Sequence, residues 1–336
     1  MRWWGMNEWR PDRLERRLPH LQARARVQAA MRQWFAAEGF VEVETPILQA
    51  APGAEVHLAG FATEWELPNG ESRERWLHSS PEFAMKKLLA GGMPKIFQFA
   101  HVFRNAEGSA LHHPEFTMLE WYRAGTGYET IMADCRALLA STGVDELRWG
   151  GHACDPRAEP ERLTVAEAFV RHAGVDLFAT LGNAEALSGA SGIAMHAGDS
   201  WEDVFFRIMF EKVESRLGMG RATILCEYPI SMAALARAKP GDPRVAERFE
   251  LYVCGVELAN AFGELTDPSI QRERLVADMD LKEELYGVRW PVDEDFLAAL
   301  DHGLPDCSGI ALGFDRLVML ASGASHIEEV LWLPVR

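Results

Sequence analysis

Two apolar-rich runs, KIFQFAHVFR (95–104) and PEFTMLEWYR (114–123), separated only by the polar loop NAEGSALHH, set the tightest limit on the fold. Runs rich in aromatic and β-branched residues read as strands, and a polar, glycine-containing connection makes them sheet partners. Side chains alternate along a strand, so one face of the second run carries Phe116, Met118, Glu120 and Tyr122. A buried carboxylate is expensive unless something pairs with it. Glu120 is therefore either wet at a sheet edge or part of a pocket for a cation or a donor-rich ligand.

The rest of the chain supplies helices and further strands. Val27, Ala30, Met31, Trp34 and Phe35 give residues 21–38 an amphipathic stripe that stops at Gly39. FVEVETP follows as a short strand ended by Pro46. LHSSPEFAMKKLLAGG (77–92) reads as a helix with a serine cap, Pro81 near its first turn and a Gly91–Gly92 stop. Residues 126–141 read as a helix, and 145–200 as a peripheral insertion without a clear pattern. Residues 199–218 form a helix opened by an S-x-x-D capping box. ATILCEYP is a strand, ERFELYVCGVELANAF a hairpin turning at Cys254–Gly255, and 268–286 a charged helix. SGIALGFDRLVMLASG is a strand, a glycine break and a short helix. No Rossmann fingerprint or P-loop occurs. This order predicts an α+β fold, an antiparallel sheet flanked by helices. An N-terminal extension (1–20) would precede one catalytic domain (21–336).

Composition narrows the function. The 336 residues are 48% hydrophobic and carry a net charge of −16, which disfavours a chain that coats nucleic acid. Five scattered cysteines with no C-x-x-C suggest a reducing compartment without disulfides or a zinc module. The sequence offers neither a signal-peptide pattern nor a membrane-spanning run, so a cytoplasmic location is expected.

Several residues could carry chemistry. In the 247–262 hairpin Tyr252 pairs with Glu257, which places Glu250 diagonal to Glu257. Two close carboxylates repel unless a cation separates them, and paired oxygen ligands suit Mg²⁺; solvated glutamates are the plain alternative. Arg104 and Arg316 end and open elements where a guanidinium could grip phosphate or carboxylate, or simply face solvent. Gly309 and Gly313 permit close approach to the backbone, or merely form turns. His112 and His113 point apart on a strand, which argues against a transition-metal site.

These segments resemble known motifs. GFVEVETPIL looks like motif 1 of class II aminoacyl-tRNA synthetases, FRNAEGSALHHPEFTMLEWYR like motif 2 and GIALGFDRLVML like motif 3. SPEFAMKKLL, HPEFTMLEWY and VELANAFGELTD resemble the lysine-type signatures of the lysyl-tRNA synthetase catalytic domain. With only about 20 residues before the motif 1 helix, too few for an OB barrel, the pattern is similar to the elongation factor P lysine ligase family. Ser80 in place of alanine and Ala311 in place of glycine lean the same way.

The resemblance implies ATP-dependent activation of (R)-β-lysine, or lysine, as an adenylate and transfer to a lysine of elongation factor P. It implies ATP as co-substrate, Mg²⁺, and a homodimer with Pro46 near the interface; tRNA and membranes are not expected partners. Glu82 would hold the backbone amino group beside Ser80 and Pro81. Tyr122 and Glu264 would receive the terminal ammonium, with Glu120, Asn260 and Phe262 nearby. Arg104 would grip the carboxylate and α-phosphate, and Arg316 the γ-phosphate, as the catalytic pair. Asn105, Ala106, Glu107, His113, Leu258 and Gly313 would line the nucleotide, while Glu250 and Glu257 would bind the metal.

Glu257 and Glu264 are seven apart, which predicts a bulge near Ala261–Gly263. Ala106 stands where the family has an adenine-reading glutamate, so Glu107 or a backbone group would substitute. Asparagine is usual at His113, glycine at Ala261 and a polar or aromatic residue at Leu111. A free-standing lysyl-tRNA synthetase-like enzyme, an amide synthetase and a non-catalytic lysine-binding paralogue are the competing readings.

Overall fold

The computed structural model describes residues 7–335. Residues 1–6 of the expected extension, and Arg336, lie outside the described residues. The chain divides into two compact units, 1–127 with 264–336, and 128–263.

In the first unit Lys95–Phe103 pairs antiparallel with Glu115–Ala124, which pairs antiparallel with Cys307–Gly313. The expected FVEVETP strand shrinks to Val41–Glu42, parallel to Lys95–Phe103 through Val41↔Ile96. The Glu115–Ala124 strand is buried on both faces, as its composition requires. Its Trp121 packs against Phe35, whose ring stacks on Phe97 at 4.2 Å. Phe35 belongs to the helix Pro11–Ala37, which begins ten residues before the expected start. Arg17 and Arg24 are buried on its inner face, so guanidinium groups continue the stripe where apolar residues run out.

Arg24 donates to Asp315 and, at 2.8 Å, to Thr117 Oγ1, while Thr117 N donates to Asp315 Oδ2 at 2.7 Å. This buried pair ties the first helix, the central strand and the helix Phe314–Ser322 together.

A smaller sheet joins Leu48–Gln49, Ser72–Leu77 and Phe61–Glu66. Its hairpin turns near Asn69–Gly70, where Gly70 has φ +88°. Ser72–Leu77 overlaps the start expected for the next helix, which instead spans Glu82–Ala90. The charged helix is observed as Pro268–Tyr286, capped by Asp267, and Glu294–Gly303 adds a further helix. Lys282 on the former donates to the carbonyls of Glu55, Val56 and Leu58 and lies 3.7 Å from the Trp290 ring.

In the second unit, Val256–Gly263, Arg248–Val253 and Thr223–Cys226 follow one another antiparallel, with Glu161–Thr164 parallel at the edge. The hairpin turns where expected, with Cys254 at φ +52° and Gly255 at +76°. Residues 145–200 hold Leu147–Trp149, His152–Asp155 and Glu161–Thr164 and the helices Val165–Ala173 and Ala184–Ser191. Their Phe169, Val175 and Leu187 pack with Trp201 and Phe205 in a buried cluster. The helix expected over 199–218 is α-helical only at Trp201–Ile208, then becomes a π turn and a 3₁₀ turn. Ser200 and Asp203 form its capping box.

Candidate active site

The first unit collects acidic side chains at one end of the Glu115–Ala124 strand. Glu120 is fully buried there. Ser80 Oγ donates to its Oε1 at 2.5 Å and the Tyr122 hydroxyl to its Oε2 at 3.0 Å. Burial first, then the Glu82 charge, pushes the Glu120 pKa to about 8, although both hydrogen bonds oppose the shift. Burial and the surrounding carboxylates also raise Tyr122 well above the phenol range, so it stays a donor.

Ser80 Oγ also accepts from Glu82 N at 3.0 Å, and Pro81 stands at the cap of the Glu82–Ala90 helix. Gln49, Gly53, Glu55, Ser80 and Glu82 line a narrow cleft. Glu264 is buried and bonded to Lys86. Lys86 was not singled out by the sequence reading, yet its Nζ lies 2.6 Å from both Glu82 Oε1 and Glu264 Oε2. The i,i+4 spacing of Glu82 and Lys86 was the available signal, but it ordinarily marks an exposed helix pair.

Gly309 faces Tyr122 in the ladder. The flat group that approaches its backbone is the tyrosine ring: a Cβ at 309 would overlap that ring and lie 2.7 Å from Glu264 Oε1. Gly309→Ala is expected to fold but to displace Tyr122, since overpacking a core site costs about 1–3 kcal/mol. Affinity for a lysine-type amino acid should fall about tenfold or more by calorimetry; parental affinity would refute this. Gly313 differs, because a Cβ there meets only Arg316 side-chain atoms at 3.5 Å or more. Its backbone instead caps the Phe314–Ser322 helix.

The other end of the strand gathers cations. Arg104 lies 5.2 Å from the Phe116 ring, and its buried Nε has no hydrogen-bond partner. Arg316 Nη2 is 2.6 Å from His112 Nε2, and Arg316 Nε donates to Leu111 O at 3.3 Å. Burial, then Arg316, lowers the His112 pKa, with Glu107 opposing and Arg104 adding to the shift. A neutral His112 can accept from Arg316. The four groups thus surround one spot, and Glu107 Oε2 lies 3.9 Å from His112 Nε2. His112, rather than His113, joins this cluster. His113 is buried with Nδ1 2.5 Å from Glu115 O.

Asn105 and Ala106 border an open groove of about 270 Å³ with His57, Glu107 and Ser109. Ala106 sits at φ +60° with its N–H bonded to Asn105 Oδ1 at 2.8 Å. Phe116 and Glu120 are four residues apart on one face, so the two ends stand roughly 13–14 Å from each other along the strand.

The remaining candidates lie in the second unit. The register shifts between Leu251 and Tyr252, so Glu257 pairs with Tyr252 but Ala259 with Leu251, leaving Leu258 as the extra residue. The bulge is therefore at Leu258, not at Ala261–Gly263, where the Phe249↔Ala261 and Arg248↔Phe262 pairs run on. An extra residue switches the side-chain alternation, so Glu257, Asn260 and Phe262 share one face. Asn260 Oδ1 accepts from Arg248 Nε at 3.2 Å. Phe262 packs against Ala233, Ala236 and Ala246.

Glu250 accepts from Tyr228 OH at 2.5 Å, Tyr252 OH at 2.7 Å and Arg248 Nη2 at 2.7 Å. Three donors, one of them the Arg248 guanidinium, leave this carboxylate poorly suited to a cation, and Glu257 alone does not make a metal cage. Among the described residues no group of three or more His, Cys, Asp or Glu could hold a metal ion. The expected Glu250–Glu257 pair thus fits Mg²⁺ only if most of the ion's oxygens come from elsewhere.

Comparison with known proteins identifies the family. The family described as tRNA synthetases class II (D, K and N) matches residues 10–336. An elongation factor P--(R)-beta-lysine ligase of Vibrio cholerae is 39% identical over 335 residues, 98% of each chain. The protein of that name from Pseudoalteromonas translucida is 40% identical over 331 residues, 97% of this chain and 98% of the relative. The Haemophilus influenzae (strain PittGG) protein is 39% identical over 330 residues, 97% of each. The chain therefore belongs to the class II tRNA synthetase family and, within it, to the elongation factor P–(R)-β-lysine ligases.

Proposed function

We propose that the chain is a ligase that activates (R)-β-lysine with ATP and transfers it to a lysine side chain of elongation factor P. The observation that carries this reading is the buried cluster of Ser80, Glu82, Glu120, Tyr122 and Glu264, in which the Tyr122 ring packs directly on the Gly309 backbone. Acceptors concentrated at one end suit a diamino acid. Arg104 and Arg316 at the other end suit a carboxylate and a triphosphate.

The substrate carboxylate attacks the α-phosphorus, an acyl-phosphate bond forms and pyrophosphate leaves. The ε-amine of the partner lysine then attacks the acyl carbon. An amide bond forms, AMP departs with the bonding electrons, and the amine's proton passes to solvent. Arg104 and Arg316 hold the charged groups in line and offset their repulsion, which is the main requirement of such chemistry. A divalent cation such as Mg²⁺, arriving with the triphosphate, would add charge neutralisation to that of the two arginines. Glu107 would take over the adenine contact that Ala106 cannot make, giving a preference for ATP over GTP in pyrophosphate exchange; equal use of the two would refute it.

A homodimer and a cytoplasmic location belong to the same proposal. Val41, Ile47 and Leu48, beside Pro46, are 52%, 40% and 40% exposed, an apolar edge that a second copy would cover. Light scattering should give twice the chain mass; a monomer would refute the dimer. Among the described residues no helix is long and apolar enough to cross a membrane.

The decisive experiment incubates the protein with ATP, each lysine isomer and elongation factor P, then weighs the factor by mass spectrometry. One β-lysyl addition is expected. Lysyl-tRNA formation with an unchanged factor would overturn the reading.

The pH dependence of amino-acid binding offers a separate test. Glu120 titrates near 8, so below that pH it holds a proton that an incoming ammonium must displace. Affinity should rise by up to about tenfold per pH unit below that value and level off above it. Glu120→Gln should flatten the profile. A parent enzyme with a flat profile would refute the assignment.

A further inference from the structure

Lys86 is a cation buried within the carboxylate cluster that reaches the cleft through Glu82. It is 1% exposed, and its Nζ donates to one oxygen of Glu82 and one of Glu264. The Phe296 ring, from the helix Glu294–Gly303, lies 5.9 Å from the ammonium. Neighbouring Lys87 is turned to Asp293 and Asp295, each at 2.9 Å, so those acids are engaged elsewhere. The charged groups facing Lys86 are Glu82 on its own helix, Glu120 on the strand, and Glu264; Glu55 borders the cleft.

Fixing a long side chain in one geometry and desolvating its charge are both costly, and a buried ion pair is rarely more stabilising than apolar packing. The value of Lys86 therefore lies in what its charge does to the cleft. Glu82, Glu120 and Glu264, the three carboxylates that face Lys86, leave with its ammonium two negative charges when all are ionised. Two ligand ammonium groups cancel them. An amino acid with an uncharged tail would leave one buried charge unmatched. Lys86 takes only Glu82 Oε1 and Glu264 Oε2, while Glu264 Oε1 lies on the side of Gly309 and Glu82 lines the cleft.

We propose that Lys86 is a specificity-determining positioning residue, a built-in counter-ion that sets the charge of the cleft to that of a ligand with two ammonium groups. The proposal rests on reading the cleft as a diamino-acid site. Burial alone would pull Lys86 down, but Glu264 and then Glu82 outweigh it and hold the ammonium above its ordinary range, so the counter-charge is permanent.

Lys86→Met keeps the length and removes the charge, whereas Lys86→Arg keeps the charge. Glutamate side-chain carboxyls are titrated by NMR in the ligand-free proteins. Binding of (R)-β-lysine and α-lysine is then measured by calorimetry in buffers of different ionisation heat. Lys86→Met should show an additional glutamate protonated at neutral pH. It should bind (R)-β-lysine about tenfold more weakly for each unit by which that glutamate's pKa exceeds the pH, releasing the extra proton. Lys86→Arg should titrate like the parent.

Unchanged glutamate titration in a folded Lys86→Met protein overturns the proposal, whatever happens to activity, because a purely structural lysine would leave it so. If the titration shifts but the parent binds neither isomer, the counter-ion role stands and the diamino-acid reading falls.

Discussion

Replacing Arg316 by alanine is expected to lower amino-acid-dependent pyrophosphate exchange by on the order of 10²–10³, the usual loss when one preorganised charge-stabilising donor is removed. Arg316 is aimed by its surroundings: Leu111 O and His112 hold the guanidinium, and Gly313 caps the helix that carries it. The charge it would meet develops on the phosphates, so the fall should appear in turnover, while amino-acid binding at the acidic end persists. Arg316→Lys should recover little, since an ammonium cannot reproduce the planar two-pronged grip. Exchange within a small factor of the parent would remove Arg316 from the catalytic role.

Arg24→Ala is expected to have the largest effect on stability. The change would strand the buried Asp315 carboxylate, which is 1% exposed. Removing one partner of a buried pair costs about 3–5 kcal/mol. At about 2 °C or somewhat more per kcal/mol for a large domain, the melting temperature should fall by roughly 6–12 °C. The double change Arg24→Met with Asp315→Leu should recover much of the loss, because it leaves no unpaired charge. A parental melting temperature in the single variant would show that the pair is relaxed by water. Because Asp315 adjoins Arg316, the single variant should also lose exchange activity, joining the fold's stability to the placement of the arginine proposed to be catalytic.

Much of this was legible in the sequence where alternation and turn chemistry act together. The 95–123 strand pair and the Cys254–Gly255 hairpin follow period-two patterning closed by residues suited to their loops, and both are observed. Legibility failed where charge does unusual things. Arg17 and Arg24 face inward and hide the first turns of the Pro11–Ala37 helix from an apolar-stripe reading. Lys86 escapes such a reading altogether, because its i,i+4 spacing from Glu82 is silent about burial.

The Phe61–Glu66 strand has an almost wholly exposed face pattern, so only Asn69–Gly70 could have revealed its hairpin. In 145–200 the apolar residues that build the second unit's core are spread among glycines and alanines over several short elements, which blurs any period. The bulge is a matter of pairing rather than composition: parity required an irregularity after Glu257 but could not choose Leu258 over Ala261.

One strand carries Phe116 toward the arginines and Glu120 and Tyr122 toward the carboxylates. The distance between the two chemistries is consequently a property of the peptide repeat, the least mutable dimension available to a protein. Relatives with new amino-acid preferences are free to exchange side chains such as Ser80 or Ala311 at the acidic end while inheriting the alignment of the reacting groups unchanged.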